Sequence, residues 1–408
     1  MKPGLERTRE LLRRLGDPLP APGRVVHVTG TNGKGSVCAM VAAGLRAAGY
    51  RVGLYTSPHL ERWNERIQVD GAPLPDEDVA QLVAEVRPHV EAMVREGFEQ
   101  PTEFEVSTAV AFLHFARRQV DWVVLEVGLG GRYDATNVVA RPAVTCITNV
   151  DLDHVRVLGP TRERIAWDKA GILRPGVPCV TGADDPGALW VLRREAARVG
   201  APLVLAPPAL PRGGDLYGQR FDLPGLPGLE LRLAGRYQLR NAAVAAAVLR
   251  LCGVDEAALR AGLRTAEWPG RLEVLREEPL VLADGAHNPA GARALRQALD
   301  GLLPERPRVL VLGVLADKQL RPLLDALVPG ARAVVATAPR SVRRALAADE
   351  LARYVLPYGV PVTVEPELER AVDRAALLAG PDGAVVITGS LYLVGPARAH
   401  ALSVVSSE

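Results

Sequence analysis

A chain of 408 residues exceeds what one ordinary hydrophobic core organises, so at least two domains are expected. With 48% apolar and 24% charged residues it reads as a soluble globular protein rather than a disordered one, and a net charge of +2 gives no broad field for nucleic acid. The charged start, Glu6 to Arg14, excludes a signal peptide, and the longest weakly polar run, Ala242 to Leu249, is too short to cross a bilayer, so a cytoplasmic protein with no nucleic-acid or membrane partner is expected.

The apolar run Val25–Thr29 predicts a strand, and Gly30-Thr31-Asn32-Gly33-Lys34-Gly35-Ser36 then opens an amphipathic helix that ends near Gly49. That order predicts a phosphate-binding loop, in which free N–H groups and the positive helix end surround a polyphosphate, Lys34 reaches the terminal phosphates and Ser36 holds magnesium. Val28 stands where the usual motif has its first glycine, so the spacing departs from the common form. Only four of the 49 basic residues are lysine, at positions 2, 34, 169 and 318, which asks a chemical reason of each internal one. A strand at Val52–Thr56 closes a βαβ unit.

A helix is predicted from Asp76, with Val79, Leu82, Val83, Val86, Val90, Met93 and Val94 on one face and a kink at Pro88. Another runs from Glu103 to about Arg118. Strands Trp122–Val127 and Ala143–Thr148 are near-continuously apolar, as strands buried on both faces are. Glu126, at the carboxyl end of the first, is where an ATPase places a magnesium-binding acid. The second leads into Asn149, Asp151 and His154. His154 reads equally as a metal ligand or as a capping or buried histidine, and the lysine of a guanine-reading Asn-Lys-x-Asp is missing.

Thr161 is expected to cap a helix carrying Trp167, Asp168 and Lys169. Strand Pro178–Thr181 and helix Pro186–Val199 follow, then the Gly- and Pro-rich stretch Ala206–Leu229 as irregular or hairpin structure, then helices Tyr237–Cys252 and Asp255–Thr265. Trp268-Pro269-Gly270 marks a domain boundary, giving domains at 1–267 and 268–408. Beyond it, strands at Leu280–Ala283, Val309–Leu312, Ala333–Ala336, Val360–Val364 and Ala384–Thr388 alternate with helices. Asp284, His287 and Asn288 follow the first of these, as polar site residues or as an Asx turn and helix cap. Cys38, Cys146, Cys179 and Cys252 are widely spaced and read as small buried apolar residues. The fold class is α/β: an N-terminal P-loop ATPase domain with a mostly parallel sheet, and a smaller C-terminal Rossmann-like α/β domain.

In chain order, GTNGKGS (30–36), TSPHL (56–60), NERIQVDG (64–71), LEVGLGGRYDATN (125–137), DHVRVLG (153–159), IAWDKAGI (165–172), LRNAA (239–243), PGRLE (269–273), DGAHNP (284–289) and TGSLYLVG (388–395) resemble the Mur ligase superfamily. More narrowly they are similar to the folylpolyglutamate synthase and bifunctional dihydrofolate synthase family. The resemblance implies an ATP-dependent ligase that joins L-glutamate to tetrahydrofolate, and to dihydropteroate, through an acyl phosphate. It implies two magnesium sites involving Ser36, Ser57, Glu126, His154 and a carbamylated Lys169, a modification that arginine cannot carry. It places Thr31, Asn32, Gly33, Lys34, Gly35, Ser36, Asn241, Arg271, Asp284 and His287 around ATP, with Lys34, Glu126, His154 and Lys169 catalytic. Thr102, Phe104, Asp134 and Ala135 match the pterin-binding region, Ala135 standing where folylpolyglutamate-only relatives can carry serine. A monomer is expected. Two alternatives remain open: a Mur ligase for a nucleotide-linked cell-wall precursor, disfavoured by only about 24 residues before the first strand, and a nucleotide switch that hydrolyses ATP without forming a bond.

Overall fold

The computed structural model describes residues 4–340 and 342–405. Its first sheet contains β1 (Val25–Thr29), β2 (Val52–Tyr55), β3 (Ile67–Val69), β4 (Ala72–Pro73), β5 (Trp122–Glu126), β6 (Val144–Ile147), β7 (Cys179–Thr181) and β8 (Leu203–Leu205), in the order β4-β3-β2-β5-β1-β6-β7-β8. The strands from β2 to β8 in that order run parallel, while β3 and β4 fold back as an antiparallel edge. β1, β2, β5 and β6 are buried at every position, as their mostly apolar sequences lead one to expect of strands covered on both faces.

The helix Lys34–Ala47 is buried from Ser36 to Leu45, because the sheet covers one side and helices Arg236–Leu251 and Glu256–Thr265 cover the other. A small antiparallel sheet, β9 (Leu210–Gly214), β10 (Gln219–Leu223) and β11 (Leu226–Leu231), closes that layer with Phe221, Leu229 and Leu231. Full burial of such side chains contributes roughly 2 kcal/mol each. On the opposite face pack helices Glu6–Arg14, Asp76–Arg95 and Glu103–Arg117.

The second sheet contains β12 (Glu273–Glu277), β13 (Leu280–Ala283), β14 (Arg308–Leu312), β15 (Ala333–Ala336), β16 (Val362–Val364) and β17 (Ala384–Thr388), in the order β12-β13-β17-β14-β15-β16. It is parallel apart from the β12 edge. The last helix of the first layer ends at Thr265 and β12 starts at Glu273, so the chain crosses between the sheets through Trp268-Pro269-Gly270.

Several local expectations need correction. The expected helix runs over Asp76–Arg95 with Pro88 inside it, on the solvent face where water can satisfy the carbonyl that proline leaves without a donor. Val83 and Val94, on the edges of its apolar stripe, are exposed. Cys252 is only half-buried, unlike the other three cysteines, because it follows the last residue of its helix. The β3–β4 hairpin, β12 and the helices Glu6–Arg14 and Leu391–Val405 add elements that the sequence pattern did not announce.

Candidate active site

The parallel pairing of β1 with β5 sets Val28 opposite Glu126, so the loop after β1 begins beside that carboxylate. Gly33 has φ +80, and the Asn241 side chain lies where a Cβ would stand. A side chain at Gly35 would come within 2.5 Å of the Trp268 ring. The loop is thus a backbone surface pressed between helix Arg236–Leu251 and the crossover. Asn149 holds its shape: Oδ1 accepts from the N–H groups of Thr31 at 3.2 Å and Asn32 at 2.8 Å. The Thr31 hydroxyl donates to the Asp151 carbonyl at 3.0 Å, and Ser36 Oγ accepts from Gln238 Nε2 at 3.2 Å. Asn241 is tied to Gln238 at 2.8 Å.

Lys34 Nζ stands 4.0 Å from Glu126 Oε1, and Glu126 Oε2 accepts from the Ser57 N–H at 3.2 Å. Burial raises the Glu126 carboxyl to about 7 against the pull of Lys34. Lys169 is 3% exposed and its side chain has no hydrogen bond or ion pair among the described residues. Burial lowers its amine to about 7, and the Lys34 charge acts in the same direction. His154, with φ +50, precedes the short helix Val155–Leu158, but its side chain makes no capping bond and is 42% exposed, so neither the capping nor the buried reading holds. Desolvation lowers it to about 4, opposed by Asp153 and assisted by Lys318 and Lys34. Glu126, His154 and Lys169 therefore all feel the Lys34 charge, and the structure gathers four distant segments around one ammonium.

The second sheet faces this loop. Asn32 and Asn288 exchange amide hydrogen bonds, at 2.9 Å and 3.3 Å, and Asn288 Nδ2 also reaches Asp153 at 2.9 Å. Lys318 Nζ binds Asp153 Oδ1 at 2.8 Å, and His287 Nε2 lies 3.6 Å from the other oxygen. Burial pushes the Asp153 carboxyl up, but His287 and Lys318 outweigh it and hold it well below the usual carboxylate range. Asn288 does cap its helix, accepting from the Gly291 N–H at 2.8 Å. Asp284 has both oxygens engaged, by Tyr237 at 3.1 Å, Leu272 N at 2.9 Å and Ala286 N at 2.9 Å. Arg271 lies close by, its guanidinium at 2.6 Å from where a Gly285 Cβ would stand.

The pterin candidates form a separate group. Thr102 caps its helix, accepting from Glu105 N at 3.1 Å, and the Phe104 ring meets Tyr55 at 5.9 Å and covers Gly128. Asp134 accepts from Leu129 N at 3.0 Å and Thr136 N at 3.0 Å, and Ala135 is buried. None of the four lines the cleft of about 400 Å³ that opens beside the phosphate loop between Ser57, Glu126, Trp268, Arg271 and Leu391.

No group of three or more His, Cys, Asp or Glu side chains suited to a metal occurs among the described residues. The donors at hand, one carboxylate, one imidazole and hydroxyls beside a phosphate cradle, fit magnesium, which takes few protein ligands and completes its shell with phosphate and water.

The Mur ligase middle-domain model matches residues 28–201, and the Mur ligase glutamate-ligase-domain model matches residues 270–391. The dihydrofolate synthase/folylpolyglutamate synthase of Bacillus subtilis (strain 168) is 38% identical, over 98% of this chain and 95% of its own length. The chain belongs to the folylpolyglutamate synthase/dihydrofolate synthase family of Mur ligases. The Mycobacterium tuberculosis folylpolyglutamate synthase complexed with ADP superposes with a TM-score of 0.91 at 36% identity, covering 98% of this chain and 95% of that one. The bifunctional Yersinia pestis enzyme complexed with AMPPNP and Mn ion gives 0.86 at 34% identity, covering 98% and 93%. No helix among the described residues is long and apolar enough to cross a membrane.

Sequence reasoning left Gln238, Asp153 and Lys318 without roles and gave Asn288 none toward Asn32 or Asp153, though all four hold the site together. For Lys318 a signal existed, since it is one of four lysines in the chain.

Proposed function

We propose that this protein is an ATP-dependent ligase that adds L-glutamate to folates, and also to dihydropteroate. The observation that carries the reading is a phosphate loop whose Lys34 faces the buried Glu126, near the unpartnered Lys169, under a second α/β layer joined to it by Asn32 and Asn288. The loop N–H groups and Lys34 cradle the β- and γ-phosphates, with Thr31, Asn32, Gly33, Gly35 and Ser36 supplying the surface. Asn241, Arg271, Asp284 and His287 surround the rest of the nucleotide.

A carboxylate oxygen of the pterin substrate attacks the γ-phosphorus and ADP leaves. The glutamate amine then attacks the acyl carbon, loses a proton and expels phosphate. Magnesium at two sites, when bound, neutralises charge on the transferring phosphoryl group. Ser36, Ser57, Glu126 and His154 would hold it, with Lys169 as a carbamate. Lys169 suits that modification: an amine lowered to about 7 is substantially neutral at physiological pH, and its nitrogen adds to carbon dioxide with release of one proton. Thr102, Phe104, Asp134 and Ala135 form the dihydropteroate site. The ATPase domain spans 1–267 and the glutamate-ligase domain 268–408; a second surface brings amine and acyl phosphate together and keeps water away. We assign the protein to the cytoplasm as a monomer.

The test is ADP release with magnesium, ATP and L-glutamate in the presence of dihydropteroate, of tetrahydrofolate, or of neither. Release with both pterins is the expected result. Release with tetrahydrofolate alone removes the dihydropteroate activity, and release without any pterin points to a nucleotide switch.

A further inference from the structure

Beside the 400 Å³ cleft lies a groove of about 1370 Å³ between β9, β10, the end of β11 and β12. The two cavities share Glu267, Trp268, Pro269, Arg271 and Arg398 as a common wall. The groove is lined by seven arginines and five carboxylates. Its acids are largely satisfied from within: Glu267 pairs with Arg232 at 2.7 Å, Glu273 with Arg398 at 2.9 Å, Glu230 with Arg220 at 3.4 Å, and Glu277 accepts from the Tyr217 hydroxyl at 2.7 Å. The side chains of Arg264, Arg271 and Arg276 make no hydrogen bond or ion pair among the described residues, and Arg276 Nε is buried with no partner. The surplus charge is therefore positive and runs from the mouth of the cleft into the groove.

We infer that this groove holds the trailing part of a substrate that already carries several γ-linked glutamates, an assignment that rests on the ligase reading above. A ligase that extends its own product must bring each new terminal γ-carboxylate back to the phosphate loop, so everything added before it has to move away. Each γ-linked residue adds about 6 Å of chain and one free α-carboxylate. A cleft of about 400 Å³ suits one drug-sized molecule, and not a chain that grows by a residue each cycle. The groove continues from the shared wall and offers unpaired guanidinium groups at the places where α-carboxylates accumulate. Arg264 and Arg276 act as specificity-determining residues for long substrates, through planar charge-assisted hydrogen bonds.

The experiment compares the wild type with the Arg264→Ala/Arg276→Ala double variant, using full-length protein and measuring ADP release on tetrahydrofolate and on its tetraglutamyl form. The expected result is a loss of about tenfold or more in kcat/KM for the tetraglutamate, with the monoglutamate changed by less than about twofold. Mass spectrometry of the products should show shorter chains, and Arg264→Lys/Arg276→Lys, which keeps the charge but not the planar fork, should recover only part of the tetraglutamate activity. Equal losses on both substrates, or none on the tetraglutamate, overturn the assignment. A wild type inactive on both substrates overturns the ligase reading instead.

Discussion

Lys169 is an amine in a place where an ammonium is costly: nearly enclosed, without a counter-ion, and within the field of Lys34. Lys169→Ala is expected to lower ligation by roughly 100-fold. Acetate or formate should restore part of it by supplying the missing carboxylate, as ADP-release rates at rising carboxylate concentration will show; full activity without supplement would refute the carbamate. His27 presents the opposite case, a titratable group with a purely internal setting. It lies in the middle of β1, with Nε2 2.8 Å from the Thr136 hydroxyl and Nδ1 buried without a partner. Burial lowers it to about 3. Because the folded value lies below the unfolded one, the unfolded chain takes up a proton near pH 6.5 while the native state refuses it, so stability is full above that pH and falls as the solution is acidified towards 3. Between pH 7 and pH 5 this group should cost about 2 kcal/mol, and urea unfolding of His27→Gln should show a drop smaller by that amount.

At the scale of elements, the phosphate loop depends on a helix that starts two hundred residues later in the chain. Helix Arg236–Leu251 places Gln238 on Ser36 and Asn241 on Gly33. Gly33→Ala therefore combines a left-handed backbone with a collision against Asn241, and the KM for ATP should rise at least tenfold while circular dichroism stays unchanged. The strands and helices that build this arrangement were legible because they are local: β1, the glycine loop and the helix Lys34–Ala47 occupy one continuous stretch. Glu126, Lys34 and Lys169 stood out for a similar reason, each being a charged residue that its apolar or arginine-rich surroundings did not call for. The partners were not legible. Gln238 with Ser36, Asn32 with Asn288 and Asp153 with Lys318 are pairings across 202, 256 and 165 positions, and no periodicity records them. β9 fell within the stretch read as irregular or hairpin structure, and its bounds were not legible because it is exposed along its length and never alternates apolar with polar residues.

Over the whole molecule, the two sheets meet through apolar contacts such as Leu60 and Tyr237 and through a polar cluster of which Asp153 is the centre. It takes Lys318, Asn288 and His287 from the second sheet while belonging to the loop after β6 of the first. Removing one partner leaves a mostly buried charge poorly compensated. Lys318→Met should lower the melting temperature by several degrees and destabilise the protein by about 2 kcal/mol. Paired with Asp153→Asn, it should cost less than the sum of the single changes, a coupling that thermal unfolding of the four variants measures.

The scarcity of lysine has a practical side. Of the three internal lysines, Lys169 is enclosed, and the side chains of Lys34 and Lys318 are 19% and 9% exposed at the meeting of the two sheets. An amine-reactive acylating reagent thus finds its internal targets only where the two sheets meet, against a background of arginines that it does not modify. The mass added to the peptides that carry Lys34, Lys169 and Lys318, read apart from that on Lys2 and the N-terminal amine, reports how often the sheets part, and ATP should suppress it.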